Sequence, residues 1–129
     1  MNANFDLMVR ETSSGKVQLF VGDSGKHELT DAVVLTLNVW NHVAGTWDGS
    51  NAKIYVDGVL KASSTTGTLA NSSATAASLG AYTDGSQNLI NGNICQVGLW
   101  SAALTQAQIQ SIMEKTFEEL IASEKTNLV

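Results

Sequence analysis

The sequence predicts an all-β domain, a β-sandwich or jelly roll closed by one C-terminal α-helix. Its length of 129 residues is the usual size of a single domain. The first part alternates short apolar-periodic runs with turn signals. Strands of that kind each bury one face, so two sheets must cover each other. The last quarter changes to the three- and four-residue spacing of an amphipathic helix. We therefore expect a sandwich over residues 1–104 and a helix over residues 105–123.

The chain begins with a predicted β-hairpin. Asn4–Arg10 and Lys16–Gly22 each alternate apolar and polar side chains with a period of two, and Thr12–Gly15 supplies the turn between them. A second turn, at Gly22–Gly25, leads to a strand-like run at Ala32–Leu37. This region is therefore predicted to hold three strands.

The strongest local signal in the sequence is the dipeptide Asp57-Gly58. It separates Ala52–Val56 from Val59–Lys61, and a loop of that length and composition favours a type I′ turn with positive φ at both positions. Trp40–Trp47 precedes this pair and reaches it through the turn Asp48–Asn51. The middle of the chain therefore predicts a tight hairpin preceded by one further strand.

Residues Ala62–Ala77 are rich in Ser and Thr and resemble a linker. Leu69 interrupts the stretch, and Ser and Thr are acceptable in exposed strands, so we interpret it as an edge strand and a loop rather than a domain boundary. Two more strands are expected at Ser78–Tyr82 and Asn93–Trp100, separated by the polar loop Thr83–Asn88.

The C-terminal segment carries a helix start signal. Thr105 and Gln108 have the spacing of a capping box, with a hydroxyl at the cap and an amide three residues later. Apolar residues then recur at helical spacing: Ile109, Ile112, Met113, Phe117, Leu120 and Ile121. We therefore predict one helix of about five turns from Gln106 to about Ser123.

Composition excludes several classes of function. Seven Lys and Arg against twelve Asp and Glu give a net charge of −5 without a basic cluster, so nucleic acid is not an expected partner. No apolar run approaches the ~20 residues that cross a bilayer, so membrane insertion is not expected. Met1–Arg10 lacks the features of a signal peptide, and the location stays open. Cys95 is the single cysteine, which rules out an intrachain disulfide and a Cys-based zinc site.

Several separated blocks of the sequence are similar to one family. These blocks are Trp40–Gly49, Lys53–Val59, Leu79–Ala81, Gly92–Ile94, Val97–Ser101 and Ala103–Thr105. In order and approximate spacing they resemble the laminin-G-like, concanavalin A-like lectin/glucanase domains, from about Phe5 to Ile112. The resemblance implies the concanavalin A-like jelly roll with a short closing helix. It implies function less sharply, because the same blocks occur in modules with different tasks.

The chain departs from the family in two places. Ile94–Val97 reads Ile-Cys-Gln-Val where the family usually has an Ile-Asp-Glu-Val-like stretch, so two carboxylates are gone. Further opening strands, usual in the family, are not found before Phe5. Either the sandwich is reduced, or a neighbouring chain covers it, or the protein is a fragment of something longer.

No pair of carboxylates has the geometry of a polysaccharide hydrolase. Such an enzyme needs two carboxylates across the scissile bond, commonly alternating on one strand face. Asp6 and Glu11, like Glu28 and Asp31, are an odd number of positions apart and face opposite ways on an ideal strand. We therefore predict that the protein is not an enzyme.

Candidate ligand-binding residues lie in two polar loops. They are Tyr82, Thr83, Asp84, Ser86, Gln87 and Asn88 in one loop, and Asp48 and Asn51 in the other. Asp84 is the candidate ligand for Ca²⁺, because its loop groups several side-chain oxygens. Asp-Gly is also the preferred turn dipeptide, and this favours a plain turn at Asp48. Apart from Ca²⁺ at Asp84, no cofactor is expected.

Other conspicuous residues are interpreted as structural. Trp40, Trp47 and Trp100 fall inside family blocks that belong to the packed sandwich, so we expect them in the core. His42 has no catalytic partner nearby and is expected to hydrogen-bond to a neighbouring strand or loop. Cys95 lies in an apolar run and is expected to be a buried small hydrophobe.

Two functions remain open from the sequence. The first is a non-catalytic structural or recognition module of a larger assembly, such as a virion decoration or appendage protein or a surface-layer component. The alternative is a lectin-like module that binds a glycan or another cell-surface ligand. A virion or the extracellular surface is the expected setting in both cases.

The second half of the predicted helix indicates association. Phe117, Leu120 and Ile121 continue the apolar stripe beyond the region that matches the family, and exposing them forgoes ~1.5–3 kcal/mol each. We predict that they form the contact of a homo-oligomer or of a larger assembly. The alternative is that the helix folds back along the chain's own sheet, which buries the same apolar area.

Overall fold

The computed structural model describes residues 7–11, 15–21, 27–66, 79–80, 90–126 and 128–129. Within them the chain forms mainly strands, which agrees with the predicted all-β class. The strands are β1 (Leu7–Glu11), β2 (Lys16–Val21), β3 (His27–Val34), β4 (Val43–Trp47), β5 (Asn51–Val56) and β6 (Val59–Thr65). Two short helices follow, α1 (Gln106–Ile112) and α2 (Ala122–Lys125).

The strands form two antiparallel three-stranded sheets, each in sequential order, β1-β2-β3 and β4-β5-β6. The predicted opening hairpin is present, with Leu7 opposite Val21. The third strand starts at His27 rather than at the predicted Ala32, because it pairs with β2 as far as Val21. Pairing between strands, rather than the local pattern, sets this boundary.

The central strands of the two sheets share one core. Val17 and Leu19 of β2 are buried together with Ala52, Ile54 and Val56 of β5. Alternation along β5 places these three side chains on one face. Burial of a large aliphatic side chain such as Leu19 or Ile54 contributes about 1.5–3 kcal/mol. This shared core holds the two sheets together.

The predicted tight turn between β5 and β6 is confirmed. Asp57 has φ 49° and Gly58 has φ 70°, and Val56 pairs directly with Val59 across the two-residue loop. Positive φ at both loop positions is the signature of a type I′ turn.

The prediction of a strand at Asn93–Trp100 is wrong, because this segment forms no ladder of paired residues. Trp100 forms an isolated antiparallel bridge with Leu128, and Val129 N–H donates to the Leu99 carbonyl at 2.8 Å. Residues 93–99 have no assigned strand, because no neighbouring strand pairs with them in the described part of the chain. Of the predicted strand at Ser78–Tyr82, only residues 79–80 are described.

The predicted capping box is confirmed, but the single long helix is wrong. The Thr105 hydroxyl accepts a hydrogen bond from the Gln108 N–H, and the Gln108 side chain accepts one from the Thr105 N–H. The helix that begins there ends at Ile112 and does not continue to Ser123. No described helix is long and apolar enough to span a membrane.

Glutamate side chains compete with the helical hydrogen bonds in the segment between α1 and α2. The Thr116 N–H donates to the Glu119 carboxylate at 2.7 Å, where a continuous helix would pair it with a carbonyl four residues earlier. Likewise, the Ile121 N–H donates to Glu124 at 2.9 Å. Because these carboxylates take the N–H groups, the chain turns and restarts as α2.

Candidate functional site

A groove of about 400 Å³ lies between the β4-β5-β6 sheet and the segment that leads into the start of α1. Its sheet side is the face opposite the core, since Lys53 and Tyr55 alternate with the buried Ile54. The lining residues are Thr46, Asp48, Lys53, Tyr55, Leu60, Ala103, Leu104, Thr105 and Gln106. A cavity of this size with mixed lining accommodates one small ligand or a single sugar unit.

The polar side of the groove centres on Lys53. It lies directly opposite Thr46 in the strand register, and the neighbouring pair is Tyr55 with Leu60. The ion pair formed by the described residues, between Lys115 and Glu124, does not involve Lys53. Lys53 lines the groove together with Asp48, and its positive charge helps to lower the pKa of that carboxylate.

The aromatic ring in the groove does not offer a stacking surface. Tyr55 is only 4% exposed, whereas a sugar that stacks needs an open ring face. The groove therefore suits a ligand held by hydrogen bonds and by the charge of Lys53.

Asp48 and Asn51, both predicted ligand-binding residues, are brought together in the β4–β5 turn. The Asp48 Oδ1 accepts hydrogen bonds from the Ser50 N–H at 2.9 Å and the Asn51 N–H at 2.7 Å. These bonds, with one from the Asn51 amide, lower the pKa of Asp48 below its ordinary value. The carboxylate orders the turn, and a further role in ligand binding stays a prediction.

The β4–β5 turn is tied to the end of β6. The Thr66 N–H donates to the Ser50 carbonyl at 2.7 Å, and the Trp47 indole N–H donates to the Thr66 hydroxyl at 3.0 Å. Trp47 also packs against the core, as predicted. One rim of the groove is thus held by bonds from two strands.

The second predicted loop lies outside the described residues. It contains Tyr82, Thr83, Asp84, Ser86, Gln87 and Asn88. The Ca²⁺ site at Asp84 therefore stays a prediction. Within the described part of the chain, no three His, Cys, Asp or Glu side chains are grouped so as to hold a metal ion.

His42 is joined to the β5–β6 turn through its backbone. Its N–H donates to the Asp57 carboxylate at 2.9 Å, and its carbonyl accepts the Asp57 N–H at 2.8 Å. The imidazole Nδ1 is buried without a hydrogen-bond partner. Burial lowers the pKa of His42 below 6.5, and the charge of Asp57 opposes this shift only in part. The geometry agrees with the structural role predicted for this residue.

The prediction of a core position for Trp40 is wrong. Its side chain is 65% exposed, next to Val39 at 60% and Leu37 at 80%. The Asn41 amide donates to the carbonyls of Thr36 and Val39, at 3.2 and 2.8 Å, which closes the loop between β3 and β4 on itself. The loop therefore presents these apolar side chains outward.

Two further predictions of burial or exposure need correction. Cys95 is exposed rather than buried, because the run that contains it has no strand beside it. Leu120 is only 9% exposed and belongs to the chain's own packing, whereas Phe117 and Ile121 are each 60% exposed. Lys125 lies over the Phe117 ring at 4.7 Å. The oligomer contact at Phe117, Leu120 and Ile121 stays a prediction, and the exposed side chains of Phe117 and Ile121 are the ones that a partner can reach directly.

The sequence analysis missed most of the groove. The alternation of Lys53 and Tyr55 with buried residues indicates that they share a face, but it does not indicate what lies over that face. The cover comes from Ala103 to Gln106, some fifty positions further along the chain. Only the tertiary fold brings the two walls together.

Comparison with known proteins identifies the fold family. The family model Laminin_G_3, described as the concanavalin A-like lectin/glucanases superfamily, matches residues 2–110. No curated protein matches the chain. A similar solved structure is the 2.1 Å crystal structure of an S-layer domain-containing protein (residues 221–444) from Clostridium thermocellum ATCC 27405. The two share 19% sequence identity with a TM-score of 0.55, and the alignment covers 88% of this chain but only 64% of that one. At this identity the likeness shows the fold alone.

Proposed function

Since the chain belongs to the concanavalin A-like lectin/glucanase superfamily, we propose that it is a non-catalytic module that makes protein contacts within a larger assembly. We also propose that the full fold is a jelly-roll β-sandwich whose two layers are the β1-β2-β3 and β4-β5-β6 sheets. It also keeps the division between a sandwich at residues 1–104 and a closing segment at residues 105–123.

The observation that carries the proposal is the number of large apolar side chains in solvent. Among the residues whose burial the structure describes, thirteen of them are 41–80% exposed. Single exposed apolar residues are ordinary, but several in succession mark interaction surfaces. Burying one such side chain against a partner contributes up to about 1.5–3 kcal/mol. Protein contact is the role that uses this surface.

The carboxylates favour a role without catalysis. Strands β4, β5 and β6, which form the sheet side of the groove, carry no Asp or Glu. Asp48 stands at the rim, with its carboxylate bonded into a turn. A glycosidase needs an acid and a second carboxylate on opposite sides of the bond that it cleaves.

The setting that we propose is a surface or virion assembly. The similar solved structure is that of an S-layer domain-containing protein, and the exposed apolar residues suit a subunit that packs in a layer or on a larger particle. The partner in such an assembly is another copy of this chain or a larger protein.

Sedimentation tests the proposal. Phe117 and Ile121 are exposed, so Phe117→Glu/Ile121→Glu alters the surface without touching the buried Leu120. We expect the wild type to sediment as an oligomer at tens of micromolar and the double variant to lose mass. A matched Glu114→Gln/Glu118→Gln variant changes the neighbouring exposed residues without placing charge on the apolar pair, and it should keep the wild-type mass. A monomeric wild type, or a double variant of unchanged mass, would contradict the proposed contact.

A second function, glycan binding, is favoured by the groove at Lys53. A glycan array with and without Ca²⁺ tests it, with Lys53→Ala for the groove and Asp84→Ala for the predicted Ca²⁺ loop. Specific binding that Lys53→Ala abolishes would support recognition in the groove. Binding lost only in Asp84→Ala and only in the presence of Ca²⁺ would place recognition in the loop. No binding by the wild type would count against this second function.

A further inference from the structure

The longest uncharged stretch of the sequence contains the most exposed run of the described residues. No Asp, Glu, Lys, Arg or His occurs from Gly85 to Met113, although the chain carries nineteen Asp, Glu, Lys and Arg residues elsewhere. Within this stretch, residues 90–103 are all exposed except Trp100. We name residues 90–103 the neutral edge.

Large apolar side chains are spread along the neutral edge. Ile90 is 51% exposed, Ile94 45%, Val97 58% and Leu99 52%. These side chains lie in the water without the flanking Lys or Asp residues that usually protect an exposed apolar run. The edge therefore has the composition of a contact surface.

The backbone of residues 91–98, in the middle of the neutral edge, is also without described partners. Ile90 N–H donates to the Gly80 carbonyl, and the Leu99 carbonyl accepts from Val129, but residues 91–98 form no hydrogen bond in the described structure. Each of these residues has a donor and an acceptor that a neighbouring chain can satisfy. Gln96 has a positive φ of 53°, which is not a strand conformation. A partner strand would therefore pair with the residues on either side of Gln96 and not in one regular ladder.

The charge distribution favours a second copy of this chain as the partner. Two copies with a net charge of −5 repel each other. In a two-fold contact the residues close to the axis lie near their own equivalents, so a charge there would face the same charge. The neutral edge avoids this repulsion. A surface for a different protein gains specificity from complementary charges, and the neutral edge offers none.

The extent of the neutral edge is sufficient for a dimer. Its thirteen exposed residues, taken at the chain's average accessible area of 8517 Å² over 129 residues, present roughly 850 Å², against about 800 Å² per partner in a standard interface. Interfaces of this size have dissociation constants from micromolar to tighter values.

We propose that the neutral edge is the two-fold interface of a homodimer, in which residues 90–103 of one copy pack against residues 90–103 of the other. The inference rests on the proposed function, since it names the partner of a contact module, but it uses a surface separate from Phe117 and Ile121. The apolar side chains lose water, and the free backbone groups of residues 91–98 find partners across the two-fold axis.

Opposite charges at one position test whether the partner is the same chain. Val97 is at the middle of residues 90–103, where an antiparallel pairing of the two copies places the two-fold axis. Val97→Glu and Val97→Lys therefore each bring like charges together, and each should weaken dimerisation at least about tenfold in sedimentation. An equimolar mixture of the two variants should regain the dimer, because Glu then faces Lys. Thr36→Glu is the matched control, since Thr36 is exposed in the separate β3–β4 loop and is not an apolar contact residue, and it should leave the dimer unchanged.

The native cysteine provides a test that needs no substitution. Cys95 lies within the neutral edge and is exposed in the single chain. We expect its reaction with a small thiol reagent to slow several-fold as protein concentration rises through the dimerisation range. Circular dichroism of the Val97 variants checks that they remain folded.

The outcomes separate this inference from the proposed function. Unchanged dimerisation in both Val97 variants, a mixture that fails to re-associate, or a Cys95 reaction rate that is independent of concentration would each overturn the neutral-edge dimer. If Phe117→Glu/Ile121→Glu still abolishes assembly in that case, the proposed function stands and only this inference fails.

Discussion

Gly58 provides a sharp test of how the C-terminal segment docks on the strands. It is the second residue of the β5–β6 turn, with φ 70°. A Cβ atom added there would lie 2.7 Å from Gln110 Cγ and 3.0 Å from Met113 Sδ. The Gln110 side chain also donates a hydrogen bond to the Gly58 carbonyl at 3.0 Å. Helix α1 therefore rests on this turn.

Gly58→Ala is expected to destabilise the fold in two ways. A residue other than glycine with positive φ costs about 1 kcal/mol. The new methyl group also forces Gln110 or Met113 to move, and the hydrogen bond to the Gly58 carbonyl is worth about 0.5–1.5 kcal/mol. We expect a total loss of roughly 2–3 kcal/mol, or roughly 6–15 °C in Tm for a domain of this length.

The chain contains its own control for the backbone effect. Gly49 also has a positive φ, 96°, but a Cβ atom there would meet nothing within 4 Å. Gly49→Ala should therefore cost about 1 kcal/mol, the backbone effect alone. Gly92→Ala, with open space and no positive φ, should be near neutral. Urea unfolding followed by tryptophan fluorescence measures all three variants.

The difference in stability loss between Gly58→Ala and Gly49→Ala tests whether α1 docks on the β5–β6 turn. The excess loss at Gly58, about 1–2 kcal/mol, measures the docking of α1. In Gly58→Ala/Gln110→Ala the crowded Cγ atom is gone, so the double variant should lose less than the sum of the two single variants. Equal losses at Gly58 and Gly49, or strict additivity with Gln110→Ala, would refute the docking.

Three further predictions concern pH and catalysis. Hydrogen bonds from Lys115 and Ser111 hold the pKa of Glu124 at about 2 rather than 4.5. The free energy of unfolding of the wild type, measured by urea titration, should therefore fall as the pH is lowered from 4.5 towards 2, and that of Glu124→Gln should fall less. Burial lowers the pKa of His42 below 6.5, so on acidification the unfolded chain binds that proton before the folded chain does, and stability should fall as the pH drops below 6.5. In thermal melts the Tm of His42→Gln should depend less on pH in this range than the Tm of the wild type. An identical pH dependence would contradict this account. Purified protein should release no reducing ends from β-glucans or other polysaccharides, and release that is lost in a single carboxylate variant such as Asp48→Asn would contradict the non-catalytic role.

Features set by neighbouring residues were predictable from the sequence. The turn at Asp57-Gly58 and the capping box at Thr105 depend on contacts within four positions, and both are present as predicted. The family resemblance was also correct, since it rests on several blocks that agree in order.

Features set by competition or by distant pairing were not predictable. Helical spacing over Gln106–Ser123 does not reveal that the Glu119 and Glu124 carboxylates take backbone N–H groups away from the helix. In the same way, the pattern of residues 93–100 is that of a strand, but a strand also needs a neighbour. For the site, the turn at Asp48 was visible locally, whereas the groove over Lys53 depends on a segment far along the chain.

The C-terminal part of the chain connects the groove, the helix and the neutral edge. Residues 103–106 form one wall of the groove, and they join the neutral edge directly to α1. A described hydrogen bond from α1 to the sheets is the one between Gln110 and Gly58, and Ile109 is the buried residue of that helix. Residues 103–106 contribute no buried side chain among the described residues, so this wall opens locally at a lower free energy than the shared core of β2 and β5. Contact with a second copy at the neutral edge would therefore stabilise the groove wall as well, since both belong to one continuous stretch of chain.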